Sequence, residues 1–301
     1  MNDSWKYRPP MLSPRFAHEV ATAGDDIFVI GGTDGNVGYS SVETRKVTGS
    51  GEWHYVSPMP IPRGNHAVGV VGGQVYAAGG LVGESSTDAV DRYDPLLDEW
   101  SPVPPLPVPL AAASAAGLGG KLYVAGGSVG DSDTDEHATD AVLVFDPAEK
   151  RWAPVAPMLT PRARFRLVAT ENHLYAIGGL SSRLQDVLDS VERYSPGTDT
   201  WEAVAPMHKR RALPGVALLG DRIVVVGGGP ATEDPIARER TTEVLDLGTG
   251  AWHLLSTLLP HGRSSVVCAA GSPHRVLAIG GSANLYGQRV TVPDVLSLKV
   301  P

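Results

Sequence analysis

Apolar and polar residues alternate over short runs along the whole chain. At 65–71, NHAVGVV alternates; a Gly-Gly turn follows, and QVYAAGG at 74–80 repeats the pattern. A polar loop leads to DAVDRYD at 88–94, and PLLD turns the chain into EWSPV at 99–103. Short alternating runs bounded by Gly, Pro and Asp predict β-strands, here four per unit in an antiparallel meander. No segment sustains a 3.6-residue apolar period, so helix should be scarce.

The unit recurs six times. An apolar run ends in Gly-Gly at IFVIGGT, VYAAGGL, LYVAGGS, LYAIGGL, IVVVGGG and VLAIGGS. The first glycines are Gly31, Gly79, Gly126, Gly178, Gly227 and Gly280, at intervals of 48, 47, 52, 49 and 53 residues. All six tryptophans, Trp5, Trp53, Trp100, Trp152, Trp201 and Trp252, follow intervals of 48, 47, 52, 49 and 51. After each tryptophan comes a third marker: PPMLSPR, SPMPIPR, PPLPVPL, APMLTPR, APMHKRR or STLLPHGR. Its closing Arg or Leu lies 16 residues before the first Gly in five units and 17 in the sixth, where GSPHR takes the extra residue. A period of about 50 residues means a repeat architecture.

Each marker has a physical reason. Glycine reaches positive φ and admits a close backbone, so Gly-Gly suits the end of a strand where packing is tightest. Tyr93, Phe145 and Tyr194 each precede a tryptophan by seven residues. These rings can pack between adjacent sheets, each burying roughly 150–250 Å². The tryptophans therefore read as core.

Gly-Gly, aromatic and Trp in register six times resemble the kelch repeat, over essentially the whole chain. Lys46 and Leu245 at the pre-Trp aromatic position, Leu110 at the Arg position, and Val224 and Leu277 at the Tyr position depart from the pattern locally. The resemblance implies an all-β fold, a six-bladed β-propeller with four antiparallel strands per blade. Blades are expected at about 13–58, 61–105, 108–157, 160–206, 209–257 and 262–300. DVLSLKV at 294–300 has no fourth strand after it, so the N-terminal segment 3–9 around Trp5 is expected to close the last blade. Closure removes open strand edges. A standalone unit, which the Met start and this closure fit, is expected, with a domain excised from a larger protein as the alternative.

Composition narrows the partners. The 301 residues carry a net charge of −8, which argues against a general nucleic-acid binder. No run of about 18 apolar residues predicts a membrane span. MNDSWKYRPP lacks a basic, then apolar, leader, and a single cysteine, Cys268, forms no internal disulfide. A cytoplasmic monomer is expected.

In a kelch propeller, the resemblance implies, recognition uses the loops entering the first strand and those between the second and third. Loops on a rigid scaffold commonly carry function. The first set holds Arg15, Arg63, Arg162, Arg211 and Arg263 with their neighbours Asn65, His66 and Arg164. A ring of guanidinium groups could clamp carboxylates. The competing reading pairs the five repeat-position arginines with acids inside the blades. Arg164 differs, because Ala17, Asn65, Ala112, Leu213 and Ser265 occupy its position in the other units. His18 and His66 share one repeat position and read as structural. The second loop set adds Arg183 and Tyr286 as ligand candidates, and Arg238, Arg240 and Arg289 extend a basic rim. Asp133, Asp135 and His137 lie in an acidic loop that could offer oxygen ligands to a cation, although a solvated acidic loop explains them as well.

No cofactor is expected. There is no P-loop and no zinc-ligand spacing. Catalytic propellers of this type fit less well. The copper radical oxidase type needs a Cys–Tyr cross-link, for which Cys268 has no evident partner. The iron pattern E-x3-D-x3-H of specifier proteins is incomplete at Glu84-x3-Asp88-x3-Arg92 and at Asp133-x3-His137-x3-Ala141. The bacterial sialic acid mutarotase type matches in size but is normally exported. The reading is a scaffold that binds a protein or peptide, of acidic character, on the arginine-bearing face. The alternative is a small-molecule enzyme, mutarotase/isomerase-like or a metal-dependent lyase, at the channel mouth.

Overall fold

The computed structural model describes residues 4–48, 51–129, 137–181, 186–229, 238–272, 274–285 and 288–300. It contains no helix among these residues. Six four-stranded antiparallel sheets carry the fold. The second is typical: Ala67–Val71, Gln74–Ala78, Val90–Asp94 and Glu99–Val103, paired in chain order. The sixth runs Val267–Ser272, Arg275–Ile279 and Val295–Lys299, and its fourth strand is Lys6–Arg8 from the other end of the chain. Each first strand touches the first strand of the next sheet, and that of the sixth touches Glu19–Ala23 of the first, so the sheets close a ring.

Apolar alternation explains the core. The second strands, such as Asp26–Ile30 and Arg222–Val226, are buried on both faces beyond their first residue. Their side chains fill the gaps between sheets, as Phe28 and Ile30 do with Val75, Ala77 and Tyr93 of the next sheet. The seven-residue spacing makes Tyr93 and Trp100, Phe145 and Trp152, and Tyr194 and Trp201 direct cross-strand partners. Their ring centroids lie 5.1, 5.0 and 5.1 Å apart. Each of these indole N–H groups donates to a carbonyl at the end of the preceding sheet: Ser57, Pro104 and Ala156. Trp53 donates to Pro9, so the same bond spans the closure.

The Gly-Gly pair has a sharper reason than strand ending. A Cβ on Gly31, at φ +59°, would lie 2.6 Å from the Arg63 carbonyl oxygen of the next unit. That carbonyl accepts the N–H of Gly32, at 2.9 Å. The bond recurs from Gly80 to Leu110, Gly127 to Arg162, Gly179 to Arg211, Gly228 to Arg263 and, across the closure, Gly281 to Arg15. Each pair thus receives the backbone of the following unit, which any side chain would displace.

Candidate functional site

The five repeat-position arginines are not on the loop face. Arg15, Arg63, Arg162, Arg211 and Arg263 are all 0 % exposed, a correction to their reading as ligand-binding groups. Their guanidinium groups point into their own sheets. Nη1 of Arg15, Arg63, Arg162 and Arg211 donates to the carbonyl of the first glycine of the unit, Gly31, Gly79, Gly178 or Gly227. Nη2 pairs with Glu43, Asp91, Glu192 and Glu243 respectively, and Arg263 pairs with Asp294. Glu43, Asp91, Glu192 and Glu243 stand on the strand paired with the second strand of their sheets, and Asp294 directly precedes the corresponding strand Val295–Lys299. Unit three lacks both partners: Leu110 stands at the arginine position and Leu143 where Asp91 and Glu192 stand. Both leucines belong to one apolar cluster. Burial lowers the arginine pKa values at 15, 63, 162 and 263 and the nearby carboxylates counteract it.

Two residues further on, the backbone turns left-handed in all six units. Ala17, Asn65, Ala112, Arg164, Leu213 and Ser265 have φ of 51–55°. Asn65 donates its N–H to the carbonyl of Ala17, Ala112 to Asn65, Arg164 to Ala112, Leu213 to Arg164 and Ser265 to Leu213. These bonds form a collar around the mouth of the channel between the inner strands. Arg164 and Asn65 are half-buried members of the collar. Arg164 makes no side-chain hydrogen bond or ion pair among the described residues, in contrast to the five consensus arginines. Arg238, Arg240 and Arg289 also lack a carboxylate partner among those residues. These four guanidinium groups sit on a face whose loops also carry carboxylates, among them Asp34, Glu84, Asp140, Asp186, Asp189 and Glu239.

His18 and His66 lie just inside the collar and are buried. Their rings pack against Gly280 and Gly31 of the preceding unit, where Ala113, Phe165, Pro214 and Val266 stand elsewhere. Burial first, then Arg63 and Arg166, lowers the pKa of His66 to about 3, and burial with Arg15 takes His18 well below its ordinary value. The unfolded His66, with a pKa near 6.5, takes up a proton that the folded ring refuses. Stability is therefore intact above pH 6.5 and falls as the pH drops from there toward 3. From pH 7 to 5, His66 alone should cost about 2 kcal/mol. His66→Phe should lose less stability over that interval in urea unfolding; an identical loss would show that His66 does not titrate on unfolding.

Deeper in the channel a cavity is lined by all six inner strands, through Glu19, Val68, Ser114, Arg166, Val216 and Cys268 among others. Arg166 reaches across it to Glu19, an ion pair between the fourth sheet and the first, and donates Nε–H to the Pro214 carbonyl at 2.9 Å. Burial raises the Glu19 pKa while Arg166 opposes the shift, and burial pushes the Cys268 thiol up to about 12. A thiol so held is not a nucleophile. The sequence reading missed this pair. Its signal was present: both residues occupy one repeat position, shared with Ala67, Ser114, Gly215 and Val267, and they lie three units apart, hence opposite in a ring of six.

His137 is exposed and begins the short strand His137–Ala138, paired with Ser128–Val129. Asp133, Asp135, Arg183 and Tyr286 lie outside the described residues. No group of three His, Cys, Asp or Glu side chains that could hold a metal occurs among the described residues. Nor is any helix there long and apolar enough to cross a membrane.

A closed ring of antiparallel four-stranded sheets, with Gly-Gly, buried Arg–acid pairs and inter-sheet tryptophans in register, defines a β-propeller of the kelch type. The KLHDC2/KLHL20/DRC7 Kelch-repeats domain model matches residues 3–179, and a Kelch motif model matches 161–208. The chain belongs to the kelch-repeat family. It is similar to Kelch-like protein 38 of Rattus norvegicus, 26% identical over 159 residues, covering 53% of this chain and 26% of that protein. Kelch-like protein 26 of Danio rerio is 35% identical over 86 residues, covering 28% of this chain and 14% of that protein. These matches thus span 26% and 14% of the relatives' own length. The solved structure of YjhT superposes with a TM-score of 0.81 at 18% identity, covering 96% of each chain, which shows a shared fold.

Proposed function

We propose that this propeller is a protein-interaction scaffold that binds an acidic protein or peptide on the loop face around the channel mouth. The carrying observation is Arg164: a half-buried guanidinium without a hydrogen-bond or ion-pair partner among the described residues, on a backbone collar and present in one unit only. A charged group held by rigid backbone and left unpaired is suited to a carboxylate. The Kelch-like relatives favour protein partners in general. Arg164→Glu should leave the melting temperature unchanged, since it breaks no side-chain hydrogen bond or ion pair among the described residues, and should abolish capture of the proteins that the parent retains from lysate. An unchanged set of captured proteins would overturn the reading. A small-molecule enzyme is the second reading, favoured by Glu19 and Arg166 meeting in the channel cavity. Retention of a metabolite by the parent but not by Glu19→Gln, with no protein captured, would favour it.

A further inference from the structure

The loop face holds a second cluster of guanidinium groups, beside the collar residues Ala17 and Ser265, where the fifth, sixth and first sheets meet. Arg238 Nη1 and Arg289 Nε both donate to Ser282 Oγ, at 2.7 and 2.8 Å. The two nitrogens therefore lie no further apart than the sum of those distances, 5.5 Å. Ser282 is fully buried and its hydroxyl, with two lone pairs, is saturated as an acceptor. Among the described residues, neither arginine makes an ion pair and the other nitrogens of both forks carry no hydrogen bond.

Among the described residues, three nearby acids have other partners. Glu239 accepts the backbone N–H groups of Arg240 and Thr241, Asp34 accepts those of Asn36 and Val37, and Asp294 pairs with Arg263. The arrangement is fixed from below. Ser282–Leu285 is paired on one side with Arg263–Ser264 and on the other with Gln288–Thr291, which carries Arg289. The Arg289 guanidinium lies over the Phe16 ring, 4.8 Å from its centroid, which orients the fork.

Two like charges drawn to one hydroxyl, with no carboxylate partner among the described residues, repel each other, and a monoanion would compensate only one of them. We propose that Arg238 and Arg289, converging on Ser282 Oγ beside Phe16, form a binding site for a phosphoryl dianion. Its charge matches both guanidinium groups, and its oxygens can take the free donors of the two forks. The proposal rests on the reading above only in taking the loop face as the recognition surface.

The test is titration of the whole chain with inorganic phosphate, against acetate at equal ionic strength, by calorimetry and thermal melting. Phosphate should bind and raise the melting temperature where acetate does not. Arg238→Gln and Arg289→Gln should each weaken phosphate at least about tenfold, the loss of charge-assisted hydrogen bonds. Without phosphate both variants should melt no lower than the parent, because each relieves a repulsion; a structural arginine would show the opposite. Equal shifts with phosphate and acetate, or variants that keep the parent's phosphate affinity, overturn the site. A phosphoserine peptide at least tenfold tighter than free phosphoserine would identify a modified protein as the source, and equal affinities a small phosphate ester. Arg164→Glu should keep phosphate binding, so a failure of either proposal is separable from a failure of the other.

Discussion

Arg162→Leu is expected to cost about 3–5 kcal/mol of stability, the penalty for leaving a buried charge without its partner. Glu192 is 2 % exposed. Its Oε1 takes the Arg162 guanidinium at 2.6 Å and its Oε2 the Leu159 N–H at 2.7 Å. The substitution also strands the Gly178 carbonyl, which Arg162 Nη1 meets at 2.9 Å. Arg162→Lys should recover little, because a single ammonium cannot span Gly178, Ser190 and Glu192 as the fork does. The double variant Arg162→Leu/Glu192→Leu should lie much closer to the parent. Unit three already holds that pair of leucines, and apolar replacement of a whole buried ion pair is often neutral. Urea unfolding of the three variants checks this. A single variant as stable as the parent, or a double variant worse than the single, would refute the account. The exposed pair Arg193–Glu202 is the control, for which truncation should cost less than about 1 kcal/mol.

Removing residues 1–10 should abolish cooperative melting. The segment supplies the fourth strand of the sixth sheet, with Lys6, Tyr7 and Arg8 opposite Ser297, Leu296 and Val295. Arg8 Nε donates to Ser297 Oγ at 2.8 Å, and Pro9 accepts the Trp53 indole at 3.1 Å. Trp5 packs in a cluster with residues of the fifth and sixth sheets, among them Ala217, Val244 and Leu298. Loss of a buried tryptophan alone costs roughly 3–5 kcal/mol, and the strand Val295–Lys299 would become an open edge prone to pairing between molecules. Trp5→Ala should give part of the effect without exposing that edge. Calorimetric melts of the two variants, with light scattering, decide the matter. A deletion that melts like the parent would show that the ring does not depend on this closure.

The comparison of sequence and structure turns on how far apart the interacting residues lie. The strands, the turns and the tryptophan positions were legible because their causes are local or repeat at a fixed period. Alternation sets a strand, glycine sets a positive φ, and a seven-residue spacing sets a cross-strand ring pair such as Tyr93 and Trp100. The closing strand was legible too, since a unit short of its fourth strand at one end and a surplus tryptophan at the other complete each other.

Site chemistry was not decided at that level. Arg63 recurs at a repeat position and Arg164 occurs in one unit alone, yet both precede a first strand and the sequence left the partners of both open. Only the tertiary structure assigns those partners. One is 0 % exposed and carboxylate-bound within its own sheet, while the other, on a left-handed residue of the collar, has no hydrogen-bond or ion-pair partner for its side chain among the described residues. The Glu19–Arg166 bridge joins residues 147 apart, and the Arg238–Ser282 bond residues 44 apart. Such pairs depend on which sheets face or adjoin each other once the ring is closed. The sequence by itself determined the repeat, the strands and the closure, because backbone sterics and apolar periodicity act over a few residues. The burial of each charge, and hence which guanidinium groups remain available to a partner, was decided only by the packing of six sheets against one another.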